Sequence, residues 1–148
     1  MGYIDKNLLP DERVVYRARL HWITFARPLV VLVLGFALLF LLGADARPVG
    51  GAVVLVGLVL LVPPFVAYRT TEFGVTNKRV VIKTGFIRRH TLELLLRQIE
   101  AISVDQSLTG RLLGFGSLTL TGTGGVREVF HRVVSPLEFR RRIQAQTA

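Results

Sequence analysis

A chain of 148 residues with a net charge of +9 and no cysteine is one ordinary domain, or a small domain with an appendage. The missing cysteines exclude disulfides, thiolate metal sites and cysteine nucleophiles. Mean hydropathy is +0.48, high for a soluble fold, and the excess is concentrated between Pro28 and Ala67. The charge is uneven as well: residues 1–27 carry five Lys/Arg against three acids, and residues 68–148 carry thirteen against six. Such a balance suits nucleic acid or an anionic membrane surface.

The N-terminal segment, residues 1–22, contains "RVVYRARLHW". There Val14, Tyr16, Ala18, Leu20 and Trp22 alternate with Arg13, Val15, Arg17, Arg19 and His21. Period two predicts a strand, one that leaves a sheet and runs into the apolar region that follows.

That region, residues 23–67, holds two uncharged runs, "PLVVLVLGFALLFLLGA" over 28–44 and "VGGAVVLVGLVLLVPPFVA" over 49–67. As helices they would reach about 25 and 28 Å, close to the thickness of a bilayer's hydrocarbon core. Neither has a polar stripe, and about a hundred other residues are too few to bury both inside a soluble core. A transmembrane helical hairpin is therefore predicted, closed by the short linker "DARP", 45–48. Arg13, Arg17, Arg19 and Arg27 precede it and Arg69, Lys78, Arg79 and Lys83 follow, whereas the linker has only Arg47. Positive charge marks the inner side, so both termini are expected in the cytoplasm. Trp22 and Tyr68 fall where interfacial aromatics belong, and Arg27 and Arg69 can snorkel to the headgroups. Pro63-Pro64 should kink or end the second helix. "ADA", 44–46, resembles a signal-peptide cleavage site, but the charged leader before it is too long for that reading.

From residue 68 the period changes. "TEFGVT" (71–76), "RVVIKT" (79–84) and "FIRRHTLEL" (86–94) read as strands joined by tight turns at Asn77-Lys78 and Gly85. "IEAISVDQ" (99–106), "SLTLT" (117–121) and "VREVFHRV" (126–133) follow, with "TGTGG" on a hairpin loop. "SPLE", 135–138, predicts a helix over 136–146 with Ser135 and Glu138 forming a capping box. Leu137, Phe139 and Ile143 would supply its apolar face.

The glycine-rich stretch "GRLLGFGSLTLTGTGG", 110–125, invites a phosphate-loop reading. It has no Lys after Gly116, and a strand follows where a helix N-terminus is required. A dinucleotide fingerprint fails for want of its third glycine. The stretch reads as turn, strand, turn. His21, His90 and His131 are scattered without ligand spacing, and no G-x-S-x-G elbow is present. No cofactor, metal site or catalytic constellation is predicted.

The segments "DERVVYRARLHW" and "TEFGVTNKRVVIKTGFIRRHTLELLLRQIEAISVDQSLTGRLLGFGSLTLTG" resemble the bacterial pleckstrin-homology-like membrane proteins with a YdbS-like PH domain. The Thr-Asn-Lys-Arg step, the Gly85 turn, the Gln106–Gly110–Arg111 stretch and "LLGFGSLTL" are the specific parts. The resemblance implies two spans in the plasma membrane of a bacterium, followed by a PH-like domain over 68–148. That domain would be a bent antiparallel sheet or partial barrel capped by a C-terminal helix. Activity is not implied, since such folds serve unrelated roles.

Lys83, Arg88, Arg89, His90 and Arg97, with Lys78 and Arg79 as further candidates, form the expected basic patch. Anionic lipid near the cytoplasmic leaflet would favour it; the same residues also serve as solvated strand faces that enforce topology. Nucleic acid is not expected, because the aromatics do not interleave with the basic residues as a stacking platform requires. The favoured reading is a membrane-anchored, non-catalytic binding or scaffold module that engages a protein partner, or a second copy, through a sheet edge or concave face. One alternative is a phospholipid head-group sensor using Arg88, Arg89 and Arg97. Another is an accessory subunit of a transport or export system, packing on larger partners through Gly35, Gly50, Gly51 and Gly57.

Overall fold

The computed structural model describes residues 2–85 and 87–147. The chain forms two compact units, one of residues 1–21 with 70–148, the other of residues 22–69. In the first, the β unit, α1 (Tyr3–Lys6) and β1 (Val14–Ala18) precede the helical unit, and β2 (Glu72–Thr76), β3 (Arg79–Thr84) and β4 (His90–Leu95) follow it. They form an antiparallel sheet in the order β1-β2-β3-β4. A second sheet, β5-β6-β7, comprises β5 (Ile99–Asp105), β6 (Phe115–Gly122) and β7 (Arg127–Val134). Between β5 and β6 lies a short helix, α4 (Leu108–Leu113), and α5 (Pro136–Thr147) closes the unit.

The sheets meet beyond β1. Leu20 bridges Val133, the Val134 N–H donates to the Arg19 carbonyl at 2.9 Å and the His21 N–H to the Arg132 carbonyl at 2.7 Å. The result is a bent pair of antiparallel sheets, not a closed barrel. Alternation puts Phe73 and Val75 of β2, Val80 and Ile82 of β3, and Leu118 and Leu120 of β6 on the inner faces. Phe139 and Ile143 of α5, both wholly buried, cover them. The Phe73 ring lies 5.7 Å from Phe130 and 6.3 Å from Phe139, nearly perpendicular to both, an edge-to-face geometry that aromatic quadrupoles favour.

Several expectations need correction. The alternation over residues 13–22 is regular strand only at Val14–Ala18, and Trp22 opens a 3-10 turn. The third strand after the helices starts at His90, because residues 87–89 form the turn; Phe86, its expected first residue, lies outside the described residues. The stretch from Gly110 contains the end of helix α4, not only turn and strand. Ser135 has a left-handed backbone, φ 47°, whereas a side-chain cap needs an extended one. Its carbonyl accepts the Phe139 N–H at 3.1 Å, and its own N–H donates to Gly114. Leu137 is 41% exposed, and Pro136 is buried with Phe139 and Ile143 instead.

The helical unit consists of α2 (Ala26–Leu41) and α3 (Arg47–Thr70, whose last residue falls in the β unit). With their flanking turns the helices cover Trp22–Leu41 and Ala44–Thr70, long and apolar enough to cross a membrane. Helix α3 runs through Pro63 and Pro64 to Thr70 instead of ending there. Gly43, at φ 86°, makes the reversal that an L side chain would resist. Gly35, Gly50 and Gly57 face the opposite helix: a Cβ would lie 2.7 Å from Val54 at Gly35, 2.7 Å from the Leu39 nitrogen at Gly50 and 2.8 Å from Leu32 at Gly57. These three glycines serve the hairpin's own close packing and are not free for a larger partner. Gly51 faces open space.

Candidate functional site

The sequence-predicted basic residues do not gather into one patch. Arg88 and Arg89 are exposed in the β3–β4 turn, and His90, also exposed, begins β4, its ring 3.8 Å from Glu128. Lys83 is half-buried at the same end of β3, its ammonium 5.5 Å from the Tyr3 ring. Arg97 sits past the other end of β4, in the 3-10 turn Leu96–Gln98. At about 3.3 Å per residue the intervening strand sets it roughly 20 Å from the turn arginines, too far to share one headgroup.

Lys78 and Arg79 are engaged elsewhere. The Thr76-Asn77-Lys78-Arg79 turn holds residues 7–13 across the outer face of the first sheet. Thr76 Oγ1 donates to Glu12 Oε1 at 2.7 Å. Asn77 accepts from the Arg13 N–H at 2.9 Å and donates to the Asp11 carbonyl at 3.1 Å. Lys78 Nζ donates to the Pro10 carbonyl at 2.6 Å. Arg79 is the centre: Nε bonds Glu12 at 2.9 Å, Nη2 bonds the Asn7 carbonyl at 2.7 Å, and Nη1 pairs with Glu93. Burial alone would raise the Glu12 carboxyl; the bonds from Arg79, the Leu9 N–H and Thr76 outweigh it and hold the group below the usual glutamate range. Arg79 is held above its ordinary value, first by its hydrogen bond to Glu12. Nearby, Ile4 is 2% exposed and packs on Gly74, where a Cβ would meet it at 2.6 Å. The outer face is thereby covered by the chain's own N-terminus.

β4 in the first sheet and β5 in the second each have an unpaired side among the described residues, and it is the β5 edge that has hollows beside it. β5 pairs with β6 on one side, and among the described residues no strand pairs with its other side. Ile99, Ile102 and Val104 turn partly inward, while Ala101, Ser103 and Asp105 are exposed. Helix α5 runs beside this edge, with a hollow at each end of the track. One, of about 350 Å³, is lined by Ile99–Ile102 with Ile143, Gln144 and Thr147. The other, of about 650 Å³, is lined by Val104 and Gln106 with residues 135–138 and Arg141. Arg97 borders the first, and Arg111 and Arg141 the second. An unpaired strand edge offers a row of N–H and C=O groups to an extended chain, and flanking hollows can take its alternate side chains. The sequence led to the expectation of a sheet edge or concave face without naming the strand, although the exposed Ala101-Ser103-Asp105 row is readable from the alternation.

The histidines stand apart. His21 Nε2 lies 3.0 Å from the Leu113 carbonyl, and His131 Nδ1 lies 3.0 Å from Ser117 Oγ. This last pair is a contact the sequence did not reveal. It lacks a triad's geometry, because Asp105 pairs with Ser117 from the far side of β6, two strand spacings or roughly 10 Å from β7, whereas the acid must orient the histidine. Among the described residues no group of three or more His, Asp or Glu could hold a metal ion.

The four residues expected as membrane-interface anchors fall at one end of the helical hairpin. Trp22 is 54% exposed in the turn before α2, and Arg27 is exposed in its first turn. Tyr68, in the last turn of α3, has its ring 5.5 Å from that of Phe25 and tilted 57° to it, and Arg69 lies 5.9 Å over the Phe65 ring.

No curated protein matches the chain, and no solved structure does. The sequence profile described as the bacterial PH domain matches residues 25–147, taking in both apolar helices, β2 to β7 and α5. PH domains are generally non-catalytic binding modules that engage lipids or proteins. With most of its length matched and a β unit of two bent sheets closed by a C-terminal helix, this chain belongs to the bacterial PH domain family.

Proposed function

We propose that the protein is a membrane-anchored, non-catalytic scaffold: α2 and α3 cross the plasma membrane, and the β unit, on the cytoplasmic side, binds an extended segment of a partner polypeptide or of a second copy. The observation that carries the binding reading is the open β5 edge beside α5 with a hollow at each end. Strand addition there would give affinity through main-chain bonds and specificity through the hollows. The anchoring reading is supported by what the helices expose. Only 17% and 11% of their most apolar windows are buried, and Val33, Phe40, Leu55 and Val59 are each more than 60% exposed. Water would penalise such a surface at about 25 cal/mol per Å², and lipid would not. The excess of flanking cations supports cytoplasmic termini.

The test is site-specific photo-cross-linking in native membranes. A cross-linker at Ala101 or Gln144, beside the track, should capture one discrete partner or a dimer. The same group at Thr123, in the exposed β6–β7 turn, should not. Equal capture at all three positions, or none at the first two, refutes the edge as the binding site.

A further inference from the structure

Two exposed apolar features belong neither to the β5 track nor to the clamp on the N-terminus. Helix α4 turns Leu108 and Leu112 outward, 79% and 85% exposed and four residues apart on one face, and its only buried residue is Gly110. The β3–β4 turn presents Ile87, 96% exposed, with Arg88 and Arg89 exposed beside it. Single exposed leucines are common on protein surfaces, but a six-residue helix that keeps every leucine out of the core calls for something to cover them.

Both features lie at one end of the β unit. His21 is the last residue before Trp22, and it holds the C-terminus of α4 through the 3.0 Å contact to Leu113 and a 5.0 Å ring contact to Phe115. Helix α4 is thereby fixed beside the point where the chain leaves the unit. Strand register carries that end across the first sheet: Ala18 pairs with Phe73, Glu72 with Lys83, and Thr84 with His90. The β3–β4 turn therefore shares an end with the departure at His21 and the return at Thr70. β7 connects the two features, with Val134 paired to Phe115 near α4 and Glu128 facing His90 near the turn.

We propose that this end of the β unit is a membrane-contact face: Leu108, Leu112 and Ile87 enter the interfacial layer, and Arg88 and Arg89 meet anionic headgroups. The proposal rests on the reading that α2 and α3 span the bilayer. Lipid is the occupant because of chain continuity: His21, the unit's last contact to α4, is followed directly by Trp22, and the apolar helix α2 starts at Ala26. Short segments that turn leucines outward settle with those side chains at the headgroup–acyl boundary, and neighbouring cations are attracted to an anionic leaflet. What is recognised is a surface, not one headgroup.

The chain has no cysteine, so single labels can be placed without background. Full-length protein carrying Leu112→Cys, Ile87→Cys, Gln144→Cys or Leu55→Cys is spin-labelled and reconstituted in vesicles of phosphatidylcholine and phosphatidylglycerol. Collisions with a membrane-soluble and a water-soluble relaxant are then compared. Labels at 112 and 87 are expected to meet the water-soluble relaxant several-fold less often than the label at 144, and the membrane-soluble one more often. If 112 and 87 are as wet as 144 while 55 is lipid-exposed, the contact face is wrong and the anchor stands. Shielding of 112 and 87 from both relaxants would mean a protein covers them, which also overturns the proposal. A wet label at 55 would remove the anchor and the contact face together.

Discussion

Arg79 binds three partners that are not its neighbours in sequence, Asn7, Glu12 and Glu93, and the stability of the β unit should depend on that set. Glu12 has no exposed side-chain surface, so Arg79→Ala would leave a buried carboxylate without its cation, a loss of about 3 kcal/mol by the usual penalty for breaking a buried pair. Thermal unfolding of the detergent-solubilised protein should show it, and a melting temperature equal to wild type would refute the clamp. The same site predicts acid sensitivity. A carboxylate held below its ordinary value, 4.5 for Glu12, contributes stability that is complete above that value and is lost as the pH falls from there through the lower value it has in the fold. Acidification past that point should lower the melting temperature of wild type more than that of Glu12→Gln. A sequence cannot display this role for Arg79. In "TNKRVVIKT" it looks like any surface cation on a strand, because the acids that claim it arrive from Glu12 and Glu93 only once the chain has folded. The Ser117–His131 contact was hidden for the same reason, being made across strands.

Elements were easier to read where one physical signal dominated. β3 ends where it was expected, at Arg79 and Thr84, because Val80 and Ile82 alternate between two turn signals. The apolar helices were visible from length and the absence of charge, although α3 extends further than expected at both ends. Helix α4 was missed because "LTGRLL" is short and holds a glycine, so propensity argues against it. Its signals lie in the caps: Ser107 Oγ accepts the Gly110 N–H at 3.1 Å, and Gly114 is left-handed at φ 82°. Between α2 and α3 the glycines make a sharp prediction. Gly50→Leu would drive a Cβ to 2.7 Å from the Leu39 nitrogen, and backbone cannot yield as a side-chain tip can. It should cost about 1–3 kcal/mol of hairpin stability, whereas Gly51→Leu, with nothing within 4 Å, should be near neutral. Unfolding of the two variants in detergent compares them directly, and equal effects would deny the close approach.

For the molecule as a whole, the proposed topology makes a prediction about compartments. In intact cells, protease added from outside should leave the Arg140–Arg142 region of α5 uncut. In inverted vesicles the same protease should remove it, and alkaline carbonate should leave the chain in the membrane. Cleavage from outside would reverse the orientation, and release by carbonate would deny the anchor. The family could be reached from sequence because strand runs, turn signals and two long apolar runs follow one another along the stretch that the profile matches. The edge proposed for binding could not, since which side of β5 stays unpaired depends on how two sheets bend around one core.

β1 and β2 are neighbours in the sheet, yet all of Trp22–Arg69 lies between them in the chain. During synthesis β1 and the segment that Arg79 clamps emerge before β2 and β3 and have nothing to pair with until those strands have been made. The β unit is thus assembled from segments on either side of the greasy middle, and only after that middle has been translated. A stop in translation before Thr84 should leave the N-terminal twenty residues open to protease, however completely the helices have formed.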